Sequence, residues 1–281
     1  MESHRILGVE AERGRWLLVV SGLIIMLCLG AIYAYSVIAV PLRKVFEAPP
    51  PEGRGLKVTS TEMQVPFIVF LLVFAVTMPL MGRYIEKYGP RRMAILGAVF
   101  VGLGWFLASL ASSPLALVFL YGVIGGLGVG IAYNCPIITS TRWFPDRRGL
   151  AVGLTVLGFG FSAALVGPLA DFMTAKFGVH VMFQVLGVAF LVLMVLFASL
   201  LRFPPPGWKP RGWNPPESKS IIGVELNRGE MVRTRVFPAL WICYTIGTLA
   251  GLMAIGVSKP VGLEVAANAG IGEAEISGLL T

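Results

Sequence analysis

The sequence predicts an all-α protein that crosses a membrane several times. Of its 281 residues, 56% are hydrophobic and only 14% are charged, whereas a water-soluble domain carries roughly a quarter charged residues. Seven apolar runs are each about long enough to cross a bilayer core of ~30 Å as a helix. An open strand would leave its backbone groups unpaired in lipid, so the runs are predicted to be helices.

The predicted spans follow one another with short connections, except before the last one. They are Trp16–Val40, Val65–Met81, Met93–Ala111, Leu115–Ser140, Leu150–Ala170, Val179–Leu201 and Phe237–Val257. The first run is too long for a signal-peptide core, so we interpret it as a retained span. The runs contain no Asp, Glu, Lys or Arg, and His180 stands at the start of the sixth. The sequence therefore predicts no intramembrane ion pair.

Lysine and arginine are distributed unevenly between the alternate connections. With the N-terminus in the cytoplasm, the inner segments hold 17 of the 23 cations. This excess predicts a multi-pass protein of the cell (inner or plasma) membrane with a cytoplasmic N-terminus. Trp16, Trp143 and Trp241 then lie at inner ends of spans, where we expect them to anchor in the headgroups. The cations mark topology and do not indicate nucleic-acid binding.

A proline-rich segment divides the chain into unequal parts. Residues 1–203 are predicted to form a six-helix bundle, and residues 237–281 the first helix of a second, incomplete bundle. Residues 204–236 between them contain six prolines and few apolar residues. Such a composition resists a packed core, and we interpret this part as a semi-rigid cytoplasmic linker.

The six-helix unit contains a faint internal repeat. Pro79-Leu80 precedes Lys87-Tyr88-Gly89, and Pro168-Leu169 precedes Lys176-Phe177-Gly178 at the same spacing. The first set ends the second span and the other set ends the fifth. Three spans separate the copies, so they have opposite orientations in the membrane. This pattern predicts a three-plus-three inverted repeat.

A few polar and aromatic side chains within the spans are candidates for a substrate path. They are Tyr33 in the first span, Tyr133 and Asn134 in the fourth, and Phe159 in the fifth. At mid-depth, hydroxyl and amide groups among aromatic rings can line a polar route through apolar surroundings. The alternative is that each of these residues serves only helix packing.

Two basic segments, residues 82–92 and 141–149, connect spans and are predicted to lie on the same side of the membrane. We expect their glycines to permit tight reversals and Asp146 to cap the fifth span. Glu86 is expected either to cap a helix N-terminus or to accept from an arginine of a neighbouring unit. The alternative is simple topology signalling. The candidate gating residues are Gly82, Glu86, Lys87, Gly89, Arg91, Arg92, Arg142, Asp146, Arg147 and Arg148.

No pattern in the sequence indicates an enzyme. Neither HExxH nor GxSxG occurs, and no cysteine pair has metal-ligand spacing. Residues 158–163 formally match GxGxx(G/A), but they lie within a predicted span and follow no strand, so we reject a dinucleotide site there. We predict no catalytic residue, no metal and no cofactor.

The basic segments resemble those of a known transporter family. Residues 82–92 resemble the loop signature of the major facilitator superfamily, with Glu86 where aspartate is usual. Residues 142–151 are similar to the hinge of its oxalate/formate antiporter family. The resemblance extends through residues 30–33, 128–133 and 247–253, and it covers nearly the whole chain.

The resemblance implies a twelve-helix secondary carrier that moves small carboxylates by alternating access between two six-helix halves. Oxalate, formate, lactate and pyruvate are the substrate class it implies, and membrane lipid is the surrounding partner. Tyr33 and Tyr133 fall at positions where the family lines its path with aromatic side chains. Phe159 stands where a tyrosine can occur. The family's substrate-binding cations lie in later spans.

The sequence stops at Thr281 as an eighth span begins. We interpret the chain as truncated or split, with a C-terminal half as its missing partner. Two alternatives stay open at this point. One is a seven-span receptor or sensor, although such receptors place the N-terminus outside. The other is a remnant of a carrier that does not transport.

Overall fold

The computed structural model describes residues 5–6, 9–50, 53–213 and 228–268. Six of its helices are long and apolar enough to cross a membrane: α1 (Ala11–Glu47), α2 (Ser60–Tyr88), α3 (Pro90–Ala108), α4 (Pro114–Trp143), α5 (Arg148–Phe177) and α6 (Val179–Ala198). A short helix, Arg228–Arg233, precedes α7 (Val236–Asn268). The strands β1 (Arg5–Ile6) and β2 (Val9–Glu10) pair ahead of α1. The all-α prediction is confirmed, and each predicted run coincides with one of α1–α7.

Local sequence signals define the ends of α2 and α5. The N-terminus of α2 has a reciprocal capping box, in which Thr59 and Glu62 each accept a hydrogen bond from the other's backbone. Gly89 ends α2 with φ 84° and ψ 158°, and Gly178 ends α5 with φ 85° and ψ 158°. Positive φ favours glycine at both places. The two predicted repeat copies therefore share one backbone conformation, which confirms the repeat.

Helix pairing follows the same inverted symmetry. α1 packs on α5 and α2 packs on α4, two contacts that interchange when the halves of the repeat are exchanged, while α3 packs on α6. Glycines allow the close approach: a Cβ added at Gly102 of α3 would lie 3.0 Å from the Gly187 carbonyl oxygen of α6. A Cβ at Gly126 of α4 would lie 2.7 Å from the Phe70 carbonyl of α2. In lipid, such small residues let backbones pack directly.

Both basic segments lie at one end of the bundle, which we call the hinge end. The Arg142 guanidinium of α4 pairs with the Glu86 carboxylate of α2, so residues 82–92 and 141–149 are neighbours in space. This confirms that they share a side. A small apolar cluster around Trp143 and Phe144 closes the same end, separate from the main core of the bundle.

Part of the predicted linker packs against the hinge end. The Trp143 indole donates to the Arg202 carbonyl at 2.7 Å, and the Trp208 ring lies 4.7 Å from the Trp143 ring. The beginning of the predicted linker therefore packs against the bundle, although its composition resists a packed core. Trp143 is also 1% exposed, so it is not the headgroup anchor that its position in the sequence predicts. Residues 214–227 and 269–281 of the predicted linker and second bundle lie outside the described residues.

Candidate functional site

Two helices of the bundle depart locally from regular α-helical hydrogen bonding, and a tyrosine stands at each of these interruptions. α1 changes to a 3₁₀-helix over Gly30–Ala34, which includes Tyr33. In α4 the interruption is slighter: Tyr133, between the helical stretches Ile124–Ala132 and Asn134–Trp143, keeps helical φ and ψ of −53° and −47° and donates to the Val129 carbonyl. Irregular points within long apolar helices are a common setting for transporter binding sites.

The ring of Phe159 joins the two interruptions. Its centroid lies 5.1 Å from that of Tyr33 and 5.1 Å from that of Tyr133, and both contacts are edge-on. Phe74 of α2 adds a further ring, 5.2 Å from Tyr133. Gly30 makes this possible, because any larger residue there would strike the Phe159 backbone. Three of the four predicted path residues therefore form one aromatic cluster.

This cluster forms one wall of a cavity of about 700 Å³ between the bundle and α7. Tyr33, Tyr133 and Phe159 line it from the bundle, and Tyr244 and Thr248 line it from α7. The other lining residues are apolar or glycine, and no charged side chain lines the cavity in the part of the chain that the structure describes. Hydroxyl groups are thus its polar side-chain groups, and they are suited to donate hydrogen bonds to a small anion.

The cavity residues of α7 were not among the path residues predicted from the sequence. Tyr244, Gly247, Thr248 and Gly251 recur at helical spacing, so they share one face of α7, and all four line the cavity. That spacing could have predicted a small, partly polar face on α7. Phe74 was also missed, since nothing distinguishes it in sequence from the other phenylalanines of α2.

Asn134 differs from the other predicted path residues. Its side-chain amide donates to the Met78 carbonyl of α2 at 3.2 Å. This bond joins α2 to α4 at the residue that follows Tyr133. The geometry gives Asn134 a part in holding these two helices together.

The first basic segment is more helical than the sequence suggested. Gly82 lies inside α2, where an added Cβ would meet nothing within 4 Å, whereas Gly89 alone makes the reversal into α3. The expectation of a turn at Gly82 is wrong, because α2 continues through Tyr88. The Lys87 ammonium lies 5.1 Å from the Tyr88 ring. Arg91 and Arg92 are exposed in the first turn of α3.

Asp146 in the second basic segment does not cap α5. The N-cap residue is Arg147, and no side chain caps that end. Asp146 instead accepts two hydrogen bonds from the Arg15 guanidinium of α1, at 2.7 and 3.1 Å. Burial raises the pKa of Asp146, but the hydrogen bonds and the positive charge of Arg15 outweigh burial, so the pKa lies below its usual range.

The two sets of candidate residues lie apart along the bundle. Ten residues of α4 separate Tyr133 from Trp143 at the hinge end, which corresponds to about 15 Å of helix at ~1.5 Å per residue. Arg147 and Arg148 are exposed at that end. The cavity residues and the hinge residues are therefore separate sets in space. No group of three His, Cys, Asp or Glu side chains that could hold a metal occurs among the described residues.

The sequence matches the profile of the Major Facilitator Superfamily over residues 22–267. The chain belongs to this superfamily. The match includes both interrupted helices, both basic segments and most of α7. The superfamily predicted from residues 82–92 is therefore confirmed.

Several transporters of this superfamily are similar to the chain. The Oxalate:formate antiporter of Oxalobacter formigenes is 29% identical over 92% of this chain and 58% of that protein. Monocarboxylate transporter 14 of Homo sapiens is 32% identical over 78% of this chain and 40% of its own length. Apicoplast pyruvate carrier 1 of Toxoplasma gondii is 27% identical over 69% of this chain and 47% of that protein. The chain thus spans about half the length of these relatives.

Membership of the superfamily agrees with the arrangement of the helices. The relatives are named as transporters and carriers, which supports a transport protein over an enzyme at the level of the family. The pairing of α1 with α5 and of α2 with α4 is the inverted repeat that such carriers use to build a central path.

Proposed function

We propose that this superfamily member carries small carboxylates across a membrane by alternating access. The observation that carries the proposal is the neutral cavity at the two helix interruptions, where Tyr33 and Tyr133 meet on Phe159. Transporters bind near mid-membrane and expose the site to each side in turn. The cavity has the position and the polar hydroxyls for that role.

A carboxylate is the substrate class that the cavity chemistry favours. Tyrosine hydroxyls donate to carboxylate oxygens, and hydrogen bonds to a charged acceptor contribute about 1.5–3 kcal/mol. The names of the similar proteins, which mention oxalate, formate, monocarboxylates and pyruvate, support the same class. Phe159 contributes a ring without a hydroxyl, which favours small monocarboxylates over the dicarboxylate oxalate.

The charge of the substrate requires a further group. An anion at mid-membrane is costly without a positive partner, and the described lining is uncharged. We infer that residues 1–203 supply one wall of the path, residues 204–236 a connection, and residues 237–281 the beginning of a second helical unit. That second unit would provide the positive group.

The hinge end is proposed to act as the gate, on the cytoplasmic side of a cell membrane. The excess of Lys and Arg in the alternate segments supports that orientation. All ten candidate gating residues named from the sequence are included in this proposal. Two ion pairs involve them: Glu86 with Arg142, and Asp146 with Arg15 of α1. Movement of α2 against α4 would break the first pair, because each helix supplies one partner.

Transport by reconstituted protein tests the proposal. The full reading frame is purified, placed in liposomes, and assayed for exchange of labelled oxalate, formate, lactate and pyruvate. We expect exchange of at least one of them above empty vesicles. Tyr33→Phe and Tyr133→Phe are expected to weaken apparent affinity by about 10- to 150-fold each, from the loss of one hydrogen bond to a charged group.

Tyr88→Phe is the matched control, because Tyr88 is an exposed tyrosine at the hinge end. It is expected to leave affinity unchanged. No exchange with any of the four carboxylates would overturn the substrate class. Membership of a transporter superfamily already argues against the seven-span receptor that the span count allowed.

A further inference from the structure

The segment that leaves α6 lies across the hinge end as a strap, which we define as residues 202–213. Its first carbonyl, that of Arg202, accepts from the Trp143 indole at 2.7 Å. Six residues further on, the Trp208 ring packs edge-on against the Trp143 ring at 4.7 Å. The strap therefore touches the end of α4 at two points, one polar and one aromatic.

Arg15 of α1 lies at the centre of this contact. It is 7% exposed, and its guanidinium lies 4.5 Å from the Phe144 ring and 5.9 Å from the Trp208 ring. The same guanidinium donates to both carboxylate oxygens of Asp146. Trp208 thus covers an ion pair that joins the start of α1 to the turn between α4 and α5.

A second acid extends the network into the strap. Glu12 pairs with Arg15 at 3.1 Å, and its carboxylate accepts from the backbone N–H of Arg211 at 2.6 Å. One cation therefore has two carboxylate partners, and one of these carboxylates holds the strap backbone. Displacing the strap would expose Arg15 to water and leave Glu12 with one partner fewer.

Two turns fold the strap where it lies against the aromatic rings. The Trp208 N–H donates to the Pro205 carbonyl at 3.1 Å, and the Trp213 N–H donates to the Pro210 carbonyl at 3.2 Å. Because proline fixes φ, a proline-rich segment loses less conformational entropy when it is ordered. The strap has three consecutive prolines at residues 204–206, and Pro210 is buried. Trp16 and Phe144, whose rings lie 4.8 Å apart, complete the aromatic surface beside Trp143.

We propose that the strap is a coupling element: its seating on Trp143 and the Arg15–Asp146 ion pair form and break together. Through Trp208, a displacement of the strap would reach the junction of α1, α4 and α5. This goes beyond the proposed carboxylate transport, and its test does not use transport.

Tryptic cleavage after Arg211 measures how often the strap leaves its seat. The protein is purified in detergent and fragments are identified by mass; the bond after Lys209 is resistant because Pro210 follows it. Under conditions in which opening is fast relative to cleavage, the rate follows the open fraction. Trp208→Ala is expected to raise this rate about tenfold, from the loss of its aromatic contacts. Trp208→Phe, which keeps a ring, is expected to give a smaller increase.

Lys209→Gln is the matched control in the strap, since Lys209 is the exposed neighbour of Trp208. Its cleavage rate is expected to equal that of the unmodified protein. A rate for Trp208→Ala equal to that of Lys209→Gln would overturn the proposal, because the ring would then not hold the strap.

Coupling is tested with Asp146→Asn alone and combined with Trp208→Ala. Each single variant raises the cleavage rate by some factor, and independent sites would give the double variant the product of the two factors to within about twofold. If the ion pair and the strap act together, the increase for the double variant falls short of that product by more than this margin. Arg13→Gln, an exposed change in the first turn of α1, is the control and is expected to combine multiplicatively with Trp208→Ala. Multiplicative behaviour of Asp146→Asn would overturn the coupling and leave the strap as simple surface packing.

Discussion

Replacing Gly158 by alanine is expected to force α1 and α5 apart. A Cβ added at Gly158 would lie 2.2 Å from the Leu23 carbonyl oxygen of α1 and 3.1 Å from the Leu27 nitrogen. Both neighbours are backbone atoms, so no side chain can rotate away. Relief requires a backbone displacement of about 1 Å, and overpacking of this kind costs about 1–3 kcal/mol.

Gly160→Ala provides the matched comparison. It lies two residues further along α5, and an added Cβ meets nothing within 4 Å. Both substitutions gain the same helix propensity, up to about 1 kcal/mol in favour of alanine. The difference between the two variants therefore isolates the contact between α1 and α5.

The measurement is the midpoint of thermal unfolding in detergent at one scan rate, because unfolding of such proteins is commonly irreversible. We expect Gly160→Ala to match or exceed the unmodified protein and Gly158→Ala to fall below Gly160→Ala by roughly 2–12 °C. Equal midpoints for the two variants would refute the reasoning, since α1 and α5 would then not pack through backbone contact at Gly158.

Two further predictions concern the ion pairs of the hinge end. The pKa of Asp146 lies below its ordinary 3.8, so its contribution to stability is present at neutral pH and is lost as pH falls through the lowered pKa. Asp146→Asn is expected to cost about 2 kcal/mol near pH 7. The difference between the unfolding midpoints of this variant and the unmodified protein should therefore shrink as the pH is lowered into the acid range. Glu86→Gln is expected to change stability by less than about 1 kcal/mol, because Glu86 is 58% and Arg142 39% exposed. A loss as large as that of Asp146→Asn would contradict the second prediction.

The sequence by itself determined the seven apolar helices of the described residues, their approximate ends and the superfamily. These properties depend on local signals: the length of apolar runs, the capping box at Thr59, and the glycines at 89 and 178 that end α2 and α5. The basic residues of segments 82–92 and 141–149 also carried enough pattern to predict that both lie at one end, and the Glu86–Arg142 pair confirms it.

The partners of individual side chains were decided only by the tertiary structure. Asp146 stands where an N-cap is expected, yet it binds Arg15, 131 residues earlier in the chain, because packing of α1 against α5 brings a stronger donor within reach. Phe159 contacts two tyrosines for the same reason. Trp208, although it belongs to the predicted linker, packs over Arg15. Hydropathy and capping act over a few neighbouring residues, whereas these contacts depend on how helices far apart in sequence pack together.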